Sequence, residues 1–259
     1  MTMHSLPNLH SQITGEGPDL IILHGLFGML DNWRSIARVL NDTHRVHAVD
    51  QRNHGRSFHS DTFHYAAMTD DLLRYMDANG IERATIMGHS MGGKTAMHFA
   101  VHHPERVERL VVVDIAPRWY PIHHREILNA LLALDLGSVD SRGDAEAELL
   151  KYIPQPAIAQ FLLKNLYWNE DQQLAWRFNL TVLNQHIENV GEALPDRATF
   201  SGPTLFLKGE RSDYITPNDG PLIHLHFPNS SVVEIPGAGH WAHAENPKAL
   251  LEAIQSFHA

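Results

Sequence analysis

Ala84-Thr85-Ile86-Met87-Gly88-His89-Ser90-Met91-Gly92-Gly93-Lys94 is the stretch on which the reading of this chain turns. A short apolar run ends in G-x-S-x-G, and a helix-like stretch continues from Gly93 to His102. Strand, sharp turn with serine at its tip, then helix is the context of a nucleophile elbow. Such a turn holds the serine backbone in a strained conformation, and flanking glycines remove side chains that would collide there. The hydroxyl then stands above the sheet, and the free N–H groups of the helix N-terminus face any developing negative charge. Ser90 is therefore the candidate nucleophile, weighed against a purely structural glycine turn.

Outward from the elbow, apolar β-branched runs alternate with helical patterns. Residues 19–23, 45–49, 84–87, 107–113, 204–208 and 231–235 read as strands. Residues 32–40 read as a helix. Met68, Leu72, Leu73 and Met76 mark an amphipathic helix closed by Asn79-Gly80. The last helix opens on Asn246 as N-cap with Pro247 in its first turn, and buries Ala249, Leu250, Ala253, Ile254 and Phe257. This alternation predicts an α/β fold, a mostly parallel sheet with helices on both faces.

The alternation breaks between about 118 and 191. No strand pattern is found there. Helical patterns follow one another through Ile127–Leu132, 147–152, 158–162 and 174–187, with aromatic residues from Trp119 to Phe178. A helical insertion between two strands reads as a cap over their carboxyl ends, where ligands bind. The expected organisation is a core of residues 1–117 and 192–259 with a cap of residues 118–191. Most of the cap's aromatics are expected to pack among themselves and a minority to line a pocket.

The 259 residues suffice for one sizeable core or at most two lobes. A net charge of −10 with no offsetting Lys/Arg cluster argues against nucleic acid or an anionic membrane as partner. Absence of cysteine excludes disulfides, thiolate metal sites and cysteine nucleophiles, and fits a cytoplasmic location. Residues 1–16 are polar and lack an apolar h-region, so no signal peptide is expected. No apolar run approaches ~18 residues, the length of a membrane span. The 20 histidines invite a metal reading, but H-E-x-x-H is absent, and His224/His226 and His240/His243 lack a third ligand nearby. Packing or surface roles are expected for most. Gly15-Glu16-Gly17 reads as a turn, and no motif calls for a metal, flavin or nucleotide cofactor.

A serine nucleophile needs a base. Gly237-Ala238-Gly239-His240-Trp241 follows the last strand, and glycines before a loop histidine let its imidazole reach the serine. His240 is the candidate base. Two backbone N–H groups should form an oxyanion hole, Met91 after the nucleophile and Leu26 in His24-Gly25-Leu26-Phe27-Gly28. Phe27 and Trp241 are candidate substrate-binding side chains.

The blocks HGLFG, D-x-RNHG (Asp50 to Gly55), GHSMGGK, VDIAP (Val113 to Pro117) and GAGHWAHAE (Gly237 to Glu245) together resemble the α/β-hydrolase superfamily. Within it they are similar to the small bacterial YbfF-type carboxylesterases. The resemblance implies an α/β-hydrolase fold with a helical cap inserted after the sixth strand. It implies a serine hydrolase cleaving esters, or acyl thioesters such as acyl-CoA, through an acyl-enzyme. It also implies a catalytic acid. Many members place one after the strand 204–208, three residues beyond a glycine, but that position here is Ser212. Asp213 lies one residue further. Asp114, at the carboxyl end of the strand 107–113, is the preferred acid, with Asp213 as the alternative and Ser212 as a supporting group. Arg52, Asn53 and His54 are expected to knit loops, and Lys94 to lie along the helix outside the site.

The alternative from another class is a lyase of the same fold, in which the serine–histidine pair abstracts a proton. Such enzymes bind carboxylate-rich substrates through arginines, for which Arg118, Arg125 and Arg177 are the candidates here.

Overall fold

Strands that read as nearly continuous apolar runs must be covered on both faces, and they are. The computed structural model describes residues 7–122 and 124–258. Residues 1–6, part of the polar stretch judged to lack a leader, lie outside them.

In chain order the strands are β1 (Ser11–Thr14), β2 (Asp19–Leu23), β3 (Arg45–Val49), β4 (Ala84–His89), β5 (Val107–Val113), β6 (Leu166–Trp168), β7 (Leu174–Trp176), β8 (Thr204–Gly209) and β9 (Ser230–Ile235). The α-helices are α1 (Arg34–Leu40), α2 (Tyr65–Ala78), α3 (Met91–His102), α4 (Arg125–Ala133), α5 (Arg142–Leu149), α6 (Pro156–Leu163), α7 (Leu180–Gln185), α8 (Gly220–His226), α9 (Ala242–Glu245) and α10 (Pro247–His258).

One sheet carries the order β1-β3-β2-β4-β5-β8-β9. Every pairing is parallel except β1 with β3. The period of two sorts the side chains. Ile21, Leu23, Leu110 and Val112 pack with residues of α2 and α3 on one face. Leu20, Ile22, Val111 and Val113 pack with α1 and α10 on the other. The chain steps from β2 out to β3, then returns past β2 to β4. That reversal places a crevice at the carboxyl ends of β2 and β4, where open α/β sheets bind ligands.

Three features depart from the sequence reading. β1 escaped it, because SQIT is a short, half-buried edge strand with little apolar signal. The segment beyond β5 contains an antiparallel ribbon, Leu166 paired with Trp176 and Trp168 with Leu174, where helix or no strand was expected. Its three-residue strands are too short for alternation to register. The segment also follows the fifth strand of the chain rather than the sixth, since one strand fewer precedes it among the described residues. Its helices share a core with Leu26, Phe27 and Met91, so it packs onto the loops at the carboxyl ends of β2 and β4. Asn246 does cap α10: its Oδ1 accepts from the Ala249 N–H at 3.2 Å.

Candidate active site

Ser90 stands at the tip between β4 and α3 with φ 52° and ψ −118°, a region non-glycine residues avoid. The surroundings enforce this strain. A Cβ on Gly88 would strike the Gly92 carbonyl, and one on Gly92 would strike the carbonyls of Leu23 and His24. The chain therefore crosses β2 at a distance only glycine allows.

Gly25 brings the other loop as close. A Cβ there would lie 2.9 Å from His89 Nδ1 and 3.3 Å from Ser90 Cβ. The next two N–H groups differ in availability. Phe27, at φ 58°, donates its N–H to His54 Nε2 at 3.2 Å. The Leu26 N–H has no acceptor among the described residues. Met91 opens α3, and its N–H is one of the first-turn donors that no intrahelical carbonyl satisfies. Leu26 and Met91 thus each hold a backbone donor beside Ser90.

Buried histidines fix the Leu26 loop. His24 donates from Nδ1 to the Gly25 carbonyl and accepts the Gln51 N–H on Nε2. His54 donates from Nδ1 to the Arg52 carbonyl and accepts the Phe27 N–H on Nε2. Each ring serves as donor on one side and acceptor on the other, so each must be neutral. Burial enforces that, lowering His24 to about 4 and His54 to about 3. The D-x-RNHG block performs the loop-knitting expected of it. Asp50 accepts the N–H groups of Leu30 and Arg56, and Arg52 pairs with buried Asp71 at 2.5 Å.

His240 lies in the loop after β9. Its Nδ1 meets Asp114 Oδ2 at 2.8 Å. This bond fixes the tautomer, leaving Nε2 as the acceptor on the opposite edge of the ring. Tyr214 stacks flat on the imidazole, centroids 3.8 Å apart, and His89 Nε2 donates to the His240 carbonyl at 2.8 Å. Burial and the neighbouring imidazoles hold His89 well below the ordinary histidine range. Its proton therefore stays on Nε2 for that bond.

Asp114 is fully buried at φ 53°. Its Oδ1 accepts the Gly209 N–H at 2.9 Å, and its Oδ2 accepts the Ser212 hydroxyl as well as His240. Asp213 is exposed, and its backbone carbonyl accepts from Arg118 at 3.4 Å. The structure thus brings together His240, Asp114 and Ser212, and leaves the Asp213 side chain outside. No hydrogen bond joins Ser90 to His240 among the described residues, although both line one cavity. Such bonds often close only around substrate.

That cavity has a volume of about 260 Å³. Gly25, Leu26, Phe27 and Trp241 form its core side, and Ile127, Ile158, Phe161 and Leu162 its inserted side. Trp241 and Phe161 meet across the mouth with ring centroids 5.7 Å apart. Of the inserted aromatics, Phe161 faces this space, Trp176 stacks on Phe178, and Trp119 and Trp168 are exposed. A second cavity of about 20 Å³ adjoins Ser90 from the other side, between Met91, Lys94, Tyr120, Ile187 and Tyr214. Sequence reasoning missed Tyr214. Its only signal was adjacency to the Ser212-Asp213 loop.

Comparison with known proteins identifies the family. The family described as alpha/beta hydrolase fold matches residues 18–247. The chain belongs to that family. It is 38% identical to Esterase YbfF of Escherichia coli strain K12, over 92% of each chain. It is 37% identical to the sn-1-specific diacylglycerol lipase ABHD11 of Mus musculus, over 98% of this chain and 86% of the relative. A solved structure titled "Marine microorganism esterase" superposes with a TM-score of 0.95 at 43% identity, covering 98% of this chain and all of the other. The chain is a hydrolase of the carboxylesterase type.

Proposed function

We propose that the chain is a serine hydrolase that cleaves carboxylic esters of small to medium acyl groups through an acyl-enzyme on Ser90. The observation that carries this is the Asp114–His240 hydrogen bond at a cavity that also holds Ser90 and the Leu26 loop. Ser90 Oγ attacks the ester carbonyl while His240 Nε2 takes its proton. The carbonyl oxygen becomes an oxyanion held by the Leu26 and Met91 N–H groups, each worth roughly 3 kcal/mol of barrier in a dry site. Collapse expels the alcohol, protonated by His240, and leaves Ser90 acylated. A water deprotonated by His240 then attacks the acyl-enzyme, and Ser90 regains its proton as the acid leaves. Buried Asp114 orients the imidazole and stabilises its positive charge, while Ser212 steadies Asp114.

Residues 118–191 act as the cap that dries this site. Phe27 and Trp241 bind substrate as apolar wall. The unequal room on the two sides of Ser90 supports an ester with only one long half. A volume of about 260 Å³ lies just below the usual range for ligand pockets, which favours smaller esters than the name of the murine lipase relative implies. Acyl thioesters fit the same chemistry, since the leaving group needs only one proton from His240.

The lyase reading finds less support. Arg118 pairs with Asp219 at 2.8 Å, Arg125 bonds Asn184, and Arg177 lies over Tyr167. None of the three is among the residues lining the main cavity. We place the enzyme in the cytoplasm on its lack of cysteine; no described helix is long and apolar enough to cross a membrane.

Hydrolysis of p-nitrophenyl esters from acetate to palmitate, with Ser90→Ala as control, tests the proposal. Activity that peaks at short to medium chains and vanishes in the variant is expected. Equal activity in the variant, or none in either folded protein, rejects it.

A further inference from the structure

Lysine is poorly suited to a place without water, yet Lys94 is fully buried. A buried ammonium demands partners. Its Nζ donates to two backbone carbonyls, Arg118 at 2.5 Å and Glu192 at 2.7 Å. These are the points where the chain leaves the sheet beyond β5 and where it returns. The two crossings also bond each other directly. Tyr120 N–H donates to Gly191 at 2.8 Å, and Leu194 N–H donates to Pro117 at 2.9 Å. Lys94 spans both limbs of this stem from one turn beyond the nucleophile, its own N–H donating to the Ser90 carbonyl at 2.9 Å.

The stem leads on to the base. The Lys94 ammonium lies 5.2 Å from the centroid of the Tyr120 ring. Tyr120 accepts the Ala116 N–H and donates its hydroxyl to the Tyr214 carbonyl. Tyr214 is the ring stacked on His240. Lys94, Tyr120 and Tyr214 also wall the small cavity beside Ser90.

We propose that Lys94 is a positioning residue that pins both limbs of the cap's stem to the nucleophile helix and so holds closed the small cavity beside Ser90. This rests on Ser90 and His240 acting as proposed above. An ammonium suits the task because it carries three donors and no acceptor, and here two carbonyls approach it together.

The clamp is sensitive to pH. Burial, aided by the nearby Arg118 guanidinium, brings Lys94 from the ordinary 10.5 down to about 7. The groups facing it are Arg118 with its partner Asp219, Glu192, His98 one turn along α3, Tyr120 and Tyr214, with His124 across the small cavity. His98 is held at about 4 by burial, and burial raises both tyrosines, so these three keep their charge state near neutrality. Below about 7 the ammonium grips both carbonyls with charge-assisted bonds. As pH rises through that value it loses a proton and the grip weakens.

The test compares wild type with Lys94→Met, which keeps the length and loses the donors. Steady-state kinetics on p-nitrophenyl butyrate are run from pH 6 to 8.5, with amide hydrogen exchange at Tyr120 and Leu194. We expect KM to rise about fivefold in Lys94→Met at pH 6.5 with kcat within about twofold. Wild-type KM should climb toward pH 8.5 and exchange at both amides should quicken, after correction for intrinsic rate. Lys94→Met should lose that dependence. An unchanged KM, or a fall in kcat alone, overturns the proposal. A wild-type inflection that persists in Lys94→Met assigns the titration to another group and overturns the pH clamp. If Lys94→Met does not fold, wild type decides alone, because flat KM and flat exchange refute the clamp. Activity in Ser90→Ala would instead refute the acyl-enzyme on Ser90, leaving the exchange arm to judge the stem.

Discussion

Replacing Asp114 by asparagine changes one atom in a fully buried group and should remove most of the activity. The carboxylate accepts three hydrogen bonds, from Gly209, Ser212 and His240. An asparagine amide has one oxygen for three donors. If the oxygen stays on Gly209, the amide NH₂ faces the His240 ring and donates to Nδ1. The imidazole proton then moves to Nε2, and the ring edge turned toward the substrate can no longer accept the Ser90 proton. The wrong tautomer in a serine triad costs on the order of 10⁴ in kcat, about 5 kcal/mol of barrier. Asp213 is exposed and takes no part in this network, so Asp213→Asn should stay within about twofold. The assay is kcat for p-nitrophenyl butyrate, with thermal melts to show that both variants fold. Asp114→Asn keeping more than a tenth of wild-type kcat, or Asp213→Asn losing more than Asp114→Asn, would rule out Asp114 as the group that orients His240.

Other outcomes follow from neighbouring contacts. Ser212→Ala removes one bond to the Asp114 carboxylate and leaves the other two. A bond to a charged group is worth about 1.5 kcal/mol or more, so kcat should fall roughly tenfold, and an unchanged kcat would show that Asp114 needs no such support. Gly25→Ala puts a methyl 2.9 Å from His89 and should push the Leu26 N–H away from Ser90. Losing one oxyanion donor costs about 10²-fold in kcat, and a near-normal kcat in the folded variant would place the donor elsewhere. Acid should destabilise the fold through His24 and His54, which drop from the ordinary 6.5 to about 4 and about 3. The unfolded chain then binds more protons than the native one below about pH 6.5, so this stability is whole above that pH and lost as pH falls. At pH 5 the two together cost about 4 kcal/mol, roughly 10 °C in Tm for a chain of this size. Calorimetry showing the same Tm at pH 7 and pH 5 would contradict that.

What the sequence made legible was whatever depends on neighbours along the chain. The elbow around Ser90, the glycine-led loop of His240 and the strand–helix alternation are local patterns, and local patterns survive in one dimension. The acid was harder. Asp114 and Asp213 each follow a strand, and only the fold shows that Asp114 is the one that meets His240. That contact leaves no compositional mark. β1 and the β6–β7 ribbon were too short for a period to show. The many histidines carry no metal-ligand spacing in the sequence, and their work within the fold could not be read from it. His24 and His54 bond to loops 27 residues away along the chain, a distance no motif encodes. Lys94 shows the limit best. In sequence it is an ordinary helical lysine, and only the fold brings Arg118 and Glu192 to either side of it.

The proposed reaction carries the acyl group on Ser90. Intact-protein and peptide mass spectrometry after rapid acid quench of the enzyme turning over p-nitrophenyl butyrate tests it most directly. A transient butyryl adduct is expected on the peptide containing Ser90, present in wild type and absent in Ser90→Ala, which should not turn over. Steady hydrolysis by Ser90→Ala, or an adduct on some other residue, would contradict it.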